Sequence, residues 1–248
     1  MKGLSTVFFA TAVAVGGIAA ATSGAVAQDK LKVGVLVTLS GPPAVLGQQA
    51  RNGFQLGVKQ LGGKLGGRET EVIVQDDELK PDVAVTKAKA LVDRDKVDFV
   101  VGPIFSNILV AMMKPVTESG TILISPNAGT SNFAGKDCNA NFFVTSYQND
   151  QNHEVMGKYA QDKGFKKAFI MAPNYPAGKD SLAGFKRYFK GEVVDEIYVP
   201  LGQLDYSAEL SKIAAAKPDA VFVFLPGGMG VNFVKQFRQA GLADKMAF

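Results

Sequence analysis

The chain has 248 residues, of which 47% are hydrophobic and 20% charged, enough for one large or two small packed domains. Its 27 basic and 23 acidic residues leave a formal net charge of +4. They are interleaved, as in Asp93-Arg94-Asp95-Lys96, which excludes a nucleic-acid surface. Cys138 is the single cysteine and excludes a disulfide within the chain, leaving burial as an inert thiol or a partner elsewhere as the two expectations.

In chain order, residues 1–27 read as an export signal. Met1-Lys2 is the charged start, residues 7–21 are apolar and small, and Ala25-Val26-Ala27 fits a cleavage site, so the mature chain begins at Gln28. The apolar core is short and glycine-interrupted for a membrane span, and no later run reaches spanning length. The expected location is therefore outside the cytoplasm. Residues 32–39 form a nearly all-apolar run, the pattern of a parallel strand buried on both faces. Ser40-Gly41-Pro42-Pro43 stops it, and residues 48–61 form an amphipathic helix with Phe54, Leu56, Val58 and Leu61 among polar residues. The glycine-rich segment 62–67 reads as a turn.

Strand and helix signals then alternate. Strand 71–75 leads to helix 81–93, with Val83, Val85, Ala88, Leu91 and Val92 on its inner face; strand 97–102 leads to helix 107–119; strand 121–124 leads to a polar stretch over 125–141. An extended piece at 142–145 is followed by a second run: helix 151–163, strand 168–172, helix 178–189, strand 193–199, helix 207–216, strand 220–225 and helix 229–240. The last residues look like a strand starting. The fold class is α/β: two Rossmann-like lobes with parallel sheets joined by a hinge. Residues 28–144 form an N-terminal lobe and 145–248 a C-terminal lobe, and the stop at Phe248 reads as a C-terminally incomplete chain.

In open α/β sheets, ligands settle at the carboxyl ends of strands, beside helix N-termini. Two such loops stand out. Gly102-Pro103-Ile104-Phe105-Ser106-Asn107 places Ser106 at the expected N-cap of a helix, and Ser125-Pro126-Asn127-Ala128-Gly129-Thr130-Ser131 adds hydroxyls and backbone N–H groups. Both suit a carboxylate or phosphate, although Ser106 would also serve as a simple cap. Other motifs fit plainer readings. Tyr175-Pro176-Ala177-Gly178-Lys179 has the spacing of a dehydrogenase pair, but Ser40-Gly41-Pro42-Pro43 cannot cradle a pyrophosphate. Asp76-Asp77-Glu78 reads as solvated strand-end carboxylates rather than a metal cluster. His153, the only histidine, reads as a surface or helix residue with no second ligand beside it. No activated nucleophile is evident, so neither an enzyme, a metal site nor a cofactor is expected.

Ser40-Gly41-Pro42 with Gly47, Val101-Gly102-Pro103, Ile124-Ser125-Pro126-Asn127-Ala128 and Asn174-Tyr175 together resemble the leucine/isoleucine/valine-binding family, periplasmic receptors of ABC importers with the type I binding-protein fold. The similarity runs from Lys30 to Phe248. It implies capture of a small carboxylate, such as a branched-chain amino acid, between two closing lobes, with a membrane permease as partner and a monomer when full length. An aromatic or other organic acid, or a ligand sensor of the same fold, is the alternative. Ser106 matches the serine holding the ligand carboxylate, with Asn107 beside it. Asn127, Ala128 and Gly129, with Thr130 next to them, match the loop that supplies amides and a hydroxyl; Gly129 stands where amino-acid binders often have Thr. Leu46 matches a position, often aromatic, that covers the ligand, and Tyr175 with Pro226-Gly227 matches contacts from the second lobe.

Overall fold

The computed structural model describes Gly3 and residues 29–248, so the expected export signal lies, Gly3 apart, outside the described residues. The first half builds β1 (Leu31–Val37), α1 (Ala44–Gln60), β2 (Lys64–Leu65), β3 (Arg68–Asp76), α2 (Pro81–Lys89), β4 (Phe99–Val101), α3 (Ser106–Thr117), β5 (Ile122–Ser125) and β6 (Phe142–Val144). They form a six-stranded sheet in the order β2-β3-β1-β4-β5-β6. All its pairings are parallel except β2 with β3. β1 is central, with Val33, Val35, Leu36 and Val37 buried. Leu36, Val100 and Leu123 share one core with Ala88 and Leu91 and with Ile108, Leu109 and Met112 of α3. Each fully buried large side chain there contributes about 1.5–3 kcal/mol.

The second half builds α4 (Gln151–Asp162), β7 (Lys167–Pro173), α5 (Pro176–Tyr188), β8 (Glu192–Val199), α6 (Ser207–Ala216), β9 (Ala220–Val223) and α7 (Gly228–Gln239). Its parallel sheet has the order β8-β7-β9. β7 is buried on both faces by period-two alternation. Ala168, Ile170 and Ala172 face Leu182, Phe185 and Phe189, whereas Phe169 and Met171 face Ile213, Phe233 and Phe237. The expected start of a strand at the chain end is a single parallel bridge from Ala247 to Ala220.

Both halves use one device where the central strand hands over to its helix. A Cβ on Gly47 in α1 would run into the Thr38 carbonyl, and one on Gly178 in α5 would run into the Pro173 carbonyl. Glycine lets each helix N-terminus sit directly against the end of its strand.

Several sequence expectations change. α1 begins at Ala44 rather than at 48, because Pro43 occupies its cap position, and this puts Leu46 in the first helical turn. The 62–67 turn contains β2, a two-residue strand too short to show periodicity. On α2 the buried stripe is Ala84, Ala88 and Leu91, with Val83 and Val85 only half-buried, and the helix widens to a π turn over Ala90–Arg94. Asp77 is buried rather than solvated: Oδ1 accepts from Thr38 Oγ1 at 2.6 Å and from the Leu79 amide at 2.8 Å. Burial pushes its carboxyl up from the ordinary range, against these hydrogen bonds. Asp76 Oδ1 accepts the Leu39 amide at 2.8 Å, so the pair ties together the ends of β1 and β3. Cys138 is exposed, which removes the buried-thiol expectation. No helix among the described residues is long and apolar enough to cross a membrane.

Candidate ligand-binding cleft

The loops at the carboxyl ends of β1, β4 and β5 face those after β7 and β9 across a cavity of about 280 Å³. Gly102, at φ +134°, lets the chain leave β4 against the Leu36 carbonyl, where a Cβ would collide. Phe105 then anchors the loop in the first core and itself takes the cap position of α3. Its carbonyl accepts the amides of Ile108 and Leu109. Ser106 is therefore the first helical residue and not the N-cap expected from sequence. Buried at 1% exposure, its hydroxyl accepts from Asn149 Nδ2 at 3.0 Å.

Of the candidates read from the sequence, Leu46, Ser106, Asn127, Tyr175, Pro226 and Gly227 meet on the wall of this one cavity. Asn127 also stitches two loops, its Nδ2 donating to the Ile104 carbonyl at 2.8 Å. Gly227, at φ +59°, caps α7 beside Leu46. Asn107, Ala128, Gly129 and Thr130 do not reach the wall. The Gly129 amide donates to Asn149 Oδ1 at 3.2 Å, and the Thr130 hydroxyl donates to Asn132 Oδ1 at 2.8 Å. The amide of Gly129 and the hydroxyl of Thr130 are thus committed to neighbours in this arrangement.

Sequence reasoning missed the other walls. Ser146, Tyr147 and Asn149 come from the crossing between the sheets, and Asn152 and His153 from the first turn of α4. His153 lies on helix α4, as the sequence reading allowed, but is half-buried, its ring 4.9 Å from Phe224, centroid to centroid. Tyr175 stacks on Phe224 at 6.4 Å and 11°, and Phe105 lies 6.3 Å from Tyr175. The signal available in sequence was position, since a crossing between two sheets necessarily borders the cleft they enclose.

Among the described residues, none on the wall carries a formal charge at neutral pH. Burial drives the His153 imidazole down to about 4, with Asp150 and Asp180 opposing the shift, and burial followed by Asp180 drives the Tyr175 phenol up. Field comes instead from backbone. The N-termini of α3, α4, α5 and α7 all open on this cavity through Ser106, His153, Ala177 and Gly227. Each favours an anion by about 0.3–1 kcal/mol. A larger hollow of about 860 Å³ between Lys166, Lys217 and Lys245 sits at the amino ends of β7 and β9, the end where α/β sheets do not gather ligands. Among the described residues no group of three His, Cys, Asp or Glu side chains is arranged to hold a metal.

A sequence model of the periplasmic binding protein family matches residues 30–248. The chain belongs to that family. Its members act outside the cytoplasm, as their name states. It is 31% identical over 239 residues to Leu/Ile/Val-binding protein homolog 6 of Brucella melitensis, covering 94% of this chain and 60% of that protein. Among solved structures it resembles the solute binding protein of an ABC transporter from R. palustris in complex with benzoate, at 36% identity and a TM-score of 0.83, covering 86% of this chain and 60% of that one. It also resembles the branched-chain amino acid transporter substrate binding protein from Streptococcus pneumoniae in complex with isoleucine, at 28% identity and a TM-score of 0.77, covering 86% and 62%. The chain thus spans about 60% of the length of these relatives. These matches accord with the type I binding-protein architecture of two α/β lobes, each with its own sheet.

Proposed function

We propose that this chain is the greater part of an extracytoplasmic substrate-binding protein of an ABC importer, exported with cleavage after Ala27. Residues 28–144 and 145–248 act as lobes that close over a small carboxylate and then present the closed form to a membrane permease. The observation that carries this reading is the uncharged cleft on which several helix N-termini and the buried Ser106 converge. Such a site suits binding of an anion. Ser106, Asn127, Tyr175 and the Pro226-Gly227 turn are the contacts proposed here, with Leu46 covering the ligand. Asn107, Ala128, Gly129 and Thr130 support the acid-binding loops from behind.

Two ligand classes fit a carboxylate site. A branched-chain amino acid accords with the curated relatives' names. An aromatic acid is favoured by a specific observation: Phe105, Tyr175, Phe224 and His153 line the cavity with planar rings. A thermal-shift panel of L-leucine, L-isoleucine, benzoate and 4-hydroxybenzoate on the full chain tests both. A ligand at a hundred times its Kd stabilises by about 2.7 kcal/mol, a shift of several degrees. Stabilisation by at least one acid is expected; no shift with any acid at millimolar concentration contradicts the proposal.

A further inference from the structure

Asn149, in the crossing between the two sheets, has a second set of partners beyond the cleft. Its backbone amide donates to the Gly129 carbonyl at 2.8 Å and its Oδ1 accepts the Gly129 amide at 3.2 Å. Its Nδ2 donates to Ser106 Oγ at 3.0 Å and to Asp180 Oδ2 at 3.1 Å. Chemistry fixes which end of the amide is which. Exchanging O and N would set the NH₂ against the Gly129 N–H and the oxygen against a carboxyl. Asp180 lies on α5 of the second lobe, is 9% exposed, and also accepts the Ser131 amide at 3.0 Å and the Ser131 hydroxyl at 2.6 Å. One continuous chain of hydrogen bonds therefore runs from Ser106 through the crossing to the second lobe and back to the loop after β5.

A serine hydroxyl has one proton and two lone pairs. Asn149 occupies a lone pair of Ser106, and among the described residues that hydroxyl donates to no protein acceptor. Its proton is left for whatever enters the cleft. We propose that Asn149 is a positioning residue that fixes Ser106 as a hydrogen-bond donor to the ligand carboxylate and, through Asp180, makes that donor part of the contact between the lobes. This rests on the carboxylate-binding reading above. Because the Asp180–Ser131 hydrogen bonds join the loop after β5 in the first lobe to α5 in the second, acid binding and lobe contact reinforce one another through Asn149.

The test compares benzoate with benzamide, and L-leucine with L-leucinamide, by calorimetry on the full chain. Each pair differs mainly in the charge at the acid group. Asn149→Ala is expected to weaken the acid about tenfold while leaving the uncharged partner nearly unchanged, so the acid-to-amide ratio falls about tenfold. Ser106→Ala lowers the same ratio, and the double variant loses no more than the worse single one, because both changes remove one interaction. Asn149→Leu, which fills the same space without a donor, repeats the measurement should the alanine chain fold poorly. Equal weakening of acid and amide, or two losses that multiply, would overturn the positioning role and leave a structural one. Failure of the unsubstituted chain to bind either acid is a different result, and it removes the carboxylate reading itself.

Discussion

At the residue scale, Ser106 and His153 carry the sharpest consequences. Ser106 is buried, is not its own helix's cap, and presents a hydroxyl at the N-terminus of α3. Replacing it with Ala removes a charge-assisted bond of about 1.5–3 kcal/mol, so acid affinity measured by calorimetry should fall ten- to a hundredfold. An unchanged affinity would reduce Ser106 to a core residue. His153 makes a pH prediction. Its pKa is lowered by burial to about 4 from an ordinary 6.5, so the folded chain binds fewer protons than the unfolded one between those values. Its stabilising contribution is complete above pH 6.5 and is lost as pH falls toward 4, by about 3 kcal/mol in total. His153→Phe keeps a ring against Phe224 and should flatten the decline in melting temperature between about pH 7 and pH 5; an equally steep decline would show that other groups cause it. Ser106 was legible in sequence as a polar residue in a strand-end loop. His153 was not, because a lone histidine shows no pattern and its value comes from rings far away in the chain.

At the element scale, most strands and helices were legible because burial imposes period. β7 is the clearest case, an apolar run whose alternate residues enter two different cores. The order of strands was not legible: nothing in the run 32–39 says that β1 lies between β3 and β4. Nor was the short β2 or the π turn after α2, since two residues show no alternation and a π turn differs from an α turn only in its hydrogen bonds. The glycine contacts at the two helix starts give a stability test. Gly178→Ala places a methyl against the Pro173 carbonyl, backbone that cannot swing aside, and should cost about 1–3 kcal/mol in urea denaturation. Gly53→Ala on α1 has open space around it and should be neutral or slightly stabilising, because alanine is the better helix former. Equal effects of the two would mean that close helix–strand approach does not constrain this fold.

At the scale of the molecule, two sheets meet through the crossing over residues 145–150 and through contacts that fuse their edges. Tyr175 and Ala177 from the second lobe belong to the core cluster of the first, and Asp180 reaches Ser131. Arg187 holds Asp150 at 3.0 Å and also pairs with Glu154, fixing the base of α4 where the crossing ends. The cleft is thus enclosed by both lobes, and its electrostatic character belongs to neither alone: α3 opens on it from one side, α5 and α7 from the other. Sequence marked the strand-end loops of the first lobe, but the aromatic walls and the Asn149 network arise only when both lobes are assembled. The central claim is that this assembled cleft recognises a carboxylate through hydroxyl and backbone donors rather than through a cationic side chain. Competition between an acid and its methyl ester for the full chain measures that most directly. An acid advantage of about a hundredfold or more is expected, since several charge-assisted hydrogen bonds weaken together when the ligand's charge is removed. Equal affinity for acid and ester would contradict the account.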